Sequence, residues 1–586
     1  MYCKRVFAAL LPVLSVVVSQ AAVAAEHLPP VSQWIPRDAV IVLEVPRSRA
    51  LLDLAVDPKL VEAITTLPAY QKQASKKEFK QFLQLIDYLE NRFDTDWRAG
   101  LSKLLGGGVT LAVGPGDSVL LAIDSEDRQM LQQLHEIFLV IAREESSKQG
   151  QPGRVASADY RGVTGWTFNG KEAHAMVGRR LLVANKPEAL KAVLDLRASP
   201  DDRNLASLEA YQAAKKAAGD NAVATAFVNL GILKKHPPVA KALAQTKNPL
   251  VSLLFAGVTQ SLRESSWLAA GVGVENNTLR LRTAVNAKLA DPKATAAFAQ
   301  PGQPDKGALP NLPVPRRIAA MSFYRDLRSF YAAKDELFPE RTSGLIFFEN
   351  MMGIFFSGRD LTDEVLAAAE PEVRVVVAEQ EFDPAAGTPR IQVPAFAAIF
   401  RLQKPKEFAQ VAEEAWQKAV GLINFTRGQK ALPGLIIDRT LHGEIKFTFA
   451  YFSSAQEEDK KNLELRFNFR PAVAVAGDYL ILSSTDGLTK DLIDALKKEG
   501  NEPVKPLAGT HSLVEVDGLR LASILNANRE NLIRQNMVKD GNTREQAEIQ
   551  VGIITTIAKY LGRAELSVGN REGKTQAELK LKLNLP

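Results

Sequence analysis

The stretch AMVGRRLLVA, residues 175–184, says more about the fold than any other part of the chain, because AVAGDYLILS at 474–483 repeats its pattern. Each stretch has two short apolar runs around a glycine, Gly178 in one and Gly477 in the other. Glycine reaches positive φ without a steric penalty, and a tight turn between two strands requires such a φ. The sequence therefore predicts two equivalent β-hairpins, each followed by a helix that begins near Pro187 or Asp486.

A second block pairs residues 96–113 with residues 360–377 without a gap. Asp96 and Asp360 open the two segments, where a carboxylate can accept the free N–H groups of a helix start. On either side of these blocks, both halves of the chain follow the same order of predicted strands and helices. We therefore predict an internal duplication.

The order of the elements predicts an α+β fold made of two duplicated units, each with a mainly antiparallel sheet and helices packed on it. Strands arrive mostly as hairpins, and Asn169-Gly170 is a strong signal for a type I′ turn between two of them. A Pro-, Ala- and Gly-rich stretch at 288–313 is typical of a linker. The predicted units are residues 32–287 and 314–586.

Residues 1–25 are typical of a cleaved secretory signal peptide, with a basic start, an apolar run at 6–18 and small residues at 21–25. The apolar run is too short to span a bilayer as a helix. We expect cleavage near Ala24 or Ala25 and a soluble protein without a transmembrane span, periplasmic or otherwise extracytoplasmic. The single cysteine, Cys3, lies in the predicted signal peptide, so the mature chain is expected to have none.

The composition and the motifs give no sign of a catalytic centre. Lys and Arg number 73 and Asp and Glu 67, a net charge of +6 that is too weak over 586 residues for a nucleic-acid surface. No phosphate-binding loop, zinc-ligand spacing or nucleophile elbow occurs in the sequence. His135 is predicted at the edge of a core and His442 in a turn. No catalytic, cofactor-binding or metal-ligating residue is predicted, and no cofactor.

One helical segment, residues 345–356, carries an aromatic and methionine stripe. Such stripes are usually core, and core packing is the first interpretation. Methionine is also adaptable and often lines hydrophobic sites, so the second interpretation is a hydrophobic ligand or partner surface. The residues predicted for that surface are Phe348, Met351, Met352 and Phe355.

Two further patterns point to a known group of proteins. The strand PRDAVIVLEV at 36–45 and the hairpin at 175–184 resemble a group of exported bacterial proteins classed as a domain of unknown function. The resemblance covers most of both halves and implies the architecture above. It implies no activity and no catalytic residues.

Three functions are compatible with these observations. The leading hypothesis is a non-enzymatic envelope binding or scaffold module with an unknown envelope protein as partner. The alternative is a carrier of a lipid or another hydrophobic ligand. A second alternative is an unrecognised hydrolase that uses a carboxylate pair, which would place two acids of raised or separated pKa in a concave site.

Overall fold

The computed structural model describes residues 28–46, 48–55, 76–243, 249–275, 277–287, 305–337, 343–382, 387–453 and 462–584, with the single residues 61, 65, 70 and 74. The predicted signal peptide at 1–25 and the predicted linker up to residue 304 lie outside the described residues.

The first half contains ten described strands and nine described helices. The strands are β1 Ile41–Val45, β2 Gly108–Gly114, β3 Ser118–Asp124, β4 Ala156–Tyr160, β5 Val163–Thr167, β6 Ala173–Val177, β7 Arg180–Ala184, β8 Ala224–Asn229, β9 Trp267–Glu275 and β10 Thr278–Val285. The helices are α1 Ser48–Ala55, α2 Lys77–Phe93, α3 Trp97–Leu105, α4 Arg128–Lys148, α5 Pro187–Ala198, α6 Glu209–Ala218, α7 Leu230–Leu233, α8 Pro237–Ala242 and α9 Pro249–Glu264.

The described part of the second half contains ten strands and eight helices. The strands are β11 Arg317–Tyr324, β12 Ala369–Ala378, β13 Ala395–Leu402, β14 Leu435–His442, β15 Ile445–Phe452, β16 Ala472–Ala476, β17 Tyr479–Ser483, β18 Thr510–Asp517, β19 Leu561–Arg571 and β20 Lys574–Leu583. The helices are α10 Leu327–Ala332, α11 Lys334–Leu337, α12 Ser343–Phe355, α13 Pro405–Gly428, α14 Asp486–Asn501, α15 Gly518–Ala527, α16 Arg529–Asp540 and α17 Arg544–Tyr560.

All described strands join one antiparallel sheet, as the hairpin-rich sequence predicts. In the first half the order across the sheet is β4-β5-β6-β7-β3-β2-β1-β8-β9-β10. In the second half it is β14-β15-β16-β17-β13-β12-β11-β18-β19-β20. The strand order is the same in both halves when each strand number is raised by ten.

The two halves meet edge to edge at the centre of the sheet. Strands β10 and β20 pair antiparallel from Thr278 opposite Lys582 to Val285 opposite Thr575. Leu281 lies opposite Leu579 in this ladder, and Arg282 lies opposite Glu578 and is ion-paired to it at 3.3 Å. Backbone pairing therefore connects segments about 300 residues apart in the chain, as the spacing of 296 residues between Arg282 and Glu578 shows.

Alternate residues of a strand point to opposite sides of the sheet. Helices pack against the side chains on both sides. In the first half, Ala175 belongs to a core that includes Leu190 and Val193 of α5. Its neighbour in β6, His174, contacts His135 of α4 on the other side. In the second half α14 joins the core that contains Ala474, while α13 packs against the side chains of the alternate residues of β16, beginning at Val473.

Most of the hairpins and helix starts predicted from local sequence signals are confirmed. Gly178 and Gly477 have φ of 59° and 58°, and each joins two paired strands that precede a helix. Asp96 accepts hydrogen bonds from the amides of residues 98 and 99 at 3.0 and 3.1 Å. Asp360 accepts one from the amide of Asp363 at 2.6 Å, at the start of a short π-helix, Leu361–Val365.

The predicted type I′ turn at Asn169-Gly170 is wrong. Such a turn needs positive φ at both residues, and of the two only Gly170 has it, at 76°. The β5–β6 ladder pairs Trp166 with His174, which leaves a longer connection than two residues. Side chains of the connection accept the free amides instead: Thr167 Oγ1 accepts from Gly170 N at 2.7 Å and Glu172 Oε1 accepts from Phe168 N at 2.6 Å.

The described end of the predicted linker packs on the second half. Ala308 and Leu309 are buried, and the Ala308 amide donates to the carbonyl of Thr510 at 2.7 Å. Leu312 joins the same core as α14. Residues 308–312 thus contribute to the packing of the second half, although they lie before its predicted start at 314.

Candidate functional site

Helix α12, Ser343–Phe355, presents apolar side chains to solvent. Phe347 is 66% exposed and Ile354 is 63% exposed, and Ile346 and Phe348 are exposed as well. An amphipathic helix of a globular protein normally turns such residues toward a core. Large apolar residues without cover in the described chain indicate an interaction surface.

The opposite side of α12 is anchored. Leu345 is buried in a small core with Phe330 and Tyr331. Glu349, the one charged residue of the helix, accepts hydrogen bonds from the Tyr331 hydroxyl at 2.7 Å and from Lys334 Nζ at 2.8 Å. At its end, Phe356 stacks on Phe408 of α13 with the ring centroids 6.5 Å apart. The exposed side chains therefore sit on a fixed element.

The four residues predicted for a hydrophobic surface lie on this helix. Phe348 is exposed, whereas Met351, Met352 and Phe355 are half-buried. The most exposed side chains, Phe347 and Ile354, are not among these four. The sequence contains them in the same apolar run, but apolar residues occupy most of the helix surface, so the pattern alone does not select the exposed side.

Helix α13, which contacts α12, adds exposed apolar residues at its C-terminal end. Leu422, Ile423 and Phe425 are exposed there, Phe425 at 64%. The helices are also joined through Ser357, whose hydroxyl donates to Glu414 at 2.9 Å and accepts from Lys418. We call the exposed side chains Ile346, Phe347, Phe348 and Ile354 of α12 the apolar face.

The buried histidines of the described chain form structural pairs. His135 Nε2 and His174 Nε2 lie 3.1 Å apart between α4 and β6, so His135 lies at a core edge as predicted. Burial lowers the pKa of His135 and lowers the pKa of His174 to about 4. Both rings are therefore neutral at neutral pH.

His511 lies beside a serine, but the geometry does not activate that serine. Arg325 Nη2 lies 3.0 Å from His511 Nε2, and His511 Nδ1 lies 2.6 Å from Ser512 Oγ. A guanidinium only donates, so Nε2 accepts and the proton of the neutral ring is on Nδ1. The ring donates to Ser512 and cannot take its proton, which removes this pair as a nucleophile and base.

A carboxylate cluster lies where α14 meets the β14–β15 hairpin. Burial raises the pKa of Asp491, although Arg316 Nη2 donates to it at 3.2 Å. His442, predicted in a turn, is instead the last residue of β14, directly before the turn. It lies 2.9 Å from Asp494 Oδ1, and Asp494 is 66% exposed. Asp491 is thus already held by an arginine. Within the described ranges, no group of three or more His, Cys, Asp or Glu residues could hold a metal ion.

No described helix is both long enough and apolar enough to cross a membrane. The fold and the apolar face together characterise a protein of mixed helix and antiparallel sheet that exposes one apolar helix. The chain belongs to the family described as protein of unknown function (DUF3352), whose model matches residues 6–318, just over half of the chain. That membership agrees with the resemblance found in the sequence.

Other comparisons add little. No curated protein matches the chain. Among solved structures, crystal form I of TP0453 matches with a TM-score of 0.23 and 10% identity, over 45% of this chain and 81% of that chain. Crystal form III of TP0453 gives a TM-score of 0.24 and 9% identity, over 45% and 82% of the two chains. Similarity at this level defines neither fold nor function.

Proposed function

We propose that this protein is a soluble, exported binding or scaffold module without catalytic activity, which docks a partner protein on the apolar face of α12. The observation that carries the proposal is the exposure of Phe347 and Ile354, 66% and 63%, on a helix whose other side is fixed in a core. Aromatic residues, phenylalanine among them, are enriched in protein–protein interfaces relative to the rest of the protein surface.

Charge favours a protein partner over an anionic membrane surface. From residue 343 to residue 368, the chain carries one basic residue, Arg359, against four acidic ones. Glu349 binds Tyr331, and Asp360, Asp363 and Glu364 lie shortly after the end of the helix, Asp363 ion-paired with Arg328 at 2.8 Å. Membrane-surface helices carry lysine and arginine beside their apolar face, because anionic lipids attract them. The acidic flank of α12 has the opposite sign.

The experiment is capture of partners from the envelope fraction of the source cells, followed by purification of the recovered partner. The double variant Phe347→Ser/Ile354→Ser should bind that partner at least about tenfold more weakly, because hot-spot truncation costs ~2 kcal/mol or more. Val538, which is 87% exposed on α16, supplies the control Val538→Ser, which should bind like the wild type. Equal binding by the double variant would refute the docking surface, and robust turnover in a hydrolase screen would refute the non-enzymatic role.

Export is part of the proposal and rests on the pattern of residues 1–25, which lie outside the described residues. N-terminal sequencing of the protein from its source cells should give a mature chain that begins near Ala25 or Glu26. An intact Met1 in a cytoplasmic fraction would contradict it.

We also propose that the two halves are copies of one unit. The support is that strand order repeats, and that registers repeat with it. Leu43 of β1 lies opposite Leu111 of β2, and Met321 of β11 lies opposite Val375 of β12. Of these residues, the alignment of 96–113 with 360–377 makes Leu111 and Val375 equivalent, since they differ by its offset of 264 residues.

A further inference from the structure

A cavity of about 560 Å³ opens in the first half, on the side of the sheet that α5 covers. Its walls are α5, the β2–β3 hairpin and the segment before β1. Most of the lining is apolar, from Ile35, Ala39, Leu120, Ala189, Ala192 and Val193. The volume lies within the range of roughly 300–1,000 Å³ that small-molecule sites occupy.

The cavity exists because small residues line a rigid frame. Asn185 holds the β2–β3 turn from both sides: its Oδ1 accepts from Val119 N at 2.7 Å and its Nδ2 donates to Asp117 O at 2.8 Å. Ala189 faces the space from α5. At the offset of 299 residues that relates the two hairpins, Ala189 corresponds to Leu488, which is buried in the core of the second half. In the duplication proposed above, a leucine thus stands in the second half at the position where the first half has an alanine.

Charged groups at the cavity select the ligand. Asp38, Lys186 and Glu188 also line it, and all three are exposed. Lys186 Nζ donates to the carbonyl of Gly116, whereas neither carboxylate forms an ion pair with another described residue. Two carboxylates against one lysine leave a net charge of −1 beside an apolar interior. An apolar chain with a cationic end complements both features.

We propose that this cavity is a binding site for an amphiphile with an aliphatic body and a cationic head group. The aliphatic part fills the space beside Ala189 and Ala192, and the head group lies between Asp38 and Glu188. The site is separate from the apolar face of α12, so each proposal can fail without the other. It gives the carrier hypothesis a defined location.

The experiment compares two probes of equal chain length, decyltrimethylammonium and decanoate, by isothermal titration calorimetry and native mass spectrometry of the full chain. The wild type should bind one decyltrimethylammonium and bind it about two- to fivefold more tightly than decanoate, the scale of an exposed ion pair. Ala189→Leu should abolish uptake by filling the cavity. Asp38→Asn/Glu188→Gln should remove the preference for the cation.

Three controls keep the result interpretable. Ala198→Leu, at the exposed end of the same helix, should bind like the wild type. Phe347→Ser should also bind normally, which separates this site from the apolar face. An unchanged melting temperature would show that Ala189→Leu folds. No uptake by the wild type, equal uptake by folded Ala189→Leu, or tighter binding of decanoate would overturn the proposal.

Discussion

At the scale of single residues, the first half depends on a buried ion pair. Arg180 is 1% exposed, and its guanidinium donates to Asp124 at 2.6 and 2.8 Å and to the carbonyl of Pro29 at 2.9 Å. It also lies over the Trp34 ring, 4.3 Å from the centroid. The pair connects β3 and β7 with the segment before β1.

Asp124→Ala should lower the free energy of unfolding by about 3–5 kcal/mol, because it leaves a buried cation without its partner. Chemical denaturation measures the change. The control is Asp195→Ala, whose partner Arg161 is exposed, and its effect should be small because solvent screens such a pair. Similar effects of the two substitutions would show that Arg180 is solvated or finds another acceptor.

The buried histidines predict a pH dependence of stability. The pKa of His174 is lowered to about 4 and that of His511 to about 3, mainly by burial, while an unfolded histidine titrates near pH ~6.5. Below pH ~6.5 these histidines therefore bind protons in the unfolded chain and stay unprotonated in the folded chain. Stability due to His174 is fully present above pH ~6.5 and falls as the pH drops toward about 4.

His174→Gln should reduce this loss of stability without abolishing it, since His511 still contributes. The measurement is the free energy of unfolding of both proteins at pH 7 and pH 4.5. His236→Gln is the control, because His236 is exposed and should leave the pH dependence unchanged. An unchanged drop in the His174→Gln variant would contradict the assignment.

At the scale of elements, the β6–β7 and β16–β17 hairpins follow one design. Each turns through a glycine of positive φ, and each delivers the chain to a helix, α5 or α14, that covers the sheet. The proposed duplication predicts that the same substitution in the two equivalent turns lowers the stability of the protein by the same amount.

Gly178→Ala and Gly477→Ala should each destabilise the protein by about 1–2 kcal/mol, the cost of a left-handed conformation for a residue with a Cβ. Gly487, in the first turn of α14, has open space where a Cβ would lie and has no positive φ. Gly487→Ala is therefore the matched control and should be neutral or stabilising. Unequal losses for the two hairpins, measured by thermal unfolding, would argue against equivalent turns.

At the scale of the whole molecule, the β10–β20 ladder joins the halves independently of the chain segment between them. Eight residue pairs form this ladder, from Thr278–Lys582 to Val285–Thr575. Ser261 Oγ of α9 adds a buried hydrogen bond to Thr575 Oγ1 at 2.8 Å, again between the halves.

A protease site engineered between residues 290 and 300 should therefore yield two fragments that still elute together in size-exclusion chromatography. The same cut in a Leu281→Glu/Leu579→Glu variant should let them separate, because two like charges then face each other across the ladder. Separation of the fragments with the native ladder would show that the strand pairing does not hold the halves together.

Much of the fold could be predicted from the sequence, because its signals act over a few residues. A glycine that needs positive φ, an aspartate at a helix start and apolar alternation fixed both hairpins, two helix starts and the bounds of β10, Thr278–Val285. The wrong prediction at Asn169-Gly170 also has a cause within a few residues. The side chains of Thr167 and Glu172 bind the amides of the connection, and the dipeptide signal does not include them.

The candidate sites depend on contacts between distant segments, which no local pattern encodes. The run at 345–356 is apolar except for Glu349 and Asn350, and its contacts with Phe330, Tyr331 and Phe408 leave Phe347 and Ile354 exposed. The cavity beside Ala189 needs α5, the β2–β3 hairpin and residues 35–39 in their folded places. Strands β10 and β20 are the edge strands of the two halves, and they can pair only once both halves have formed. Their pairing is therefore a property of the assembled sheet.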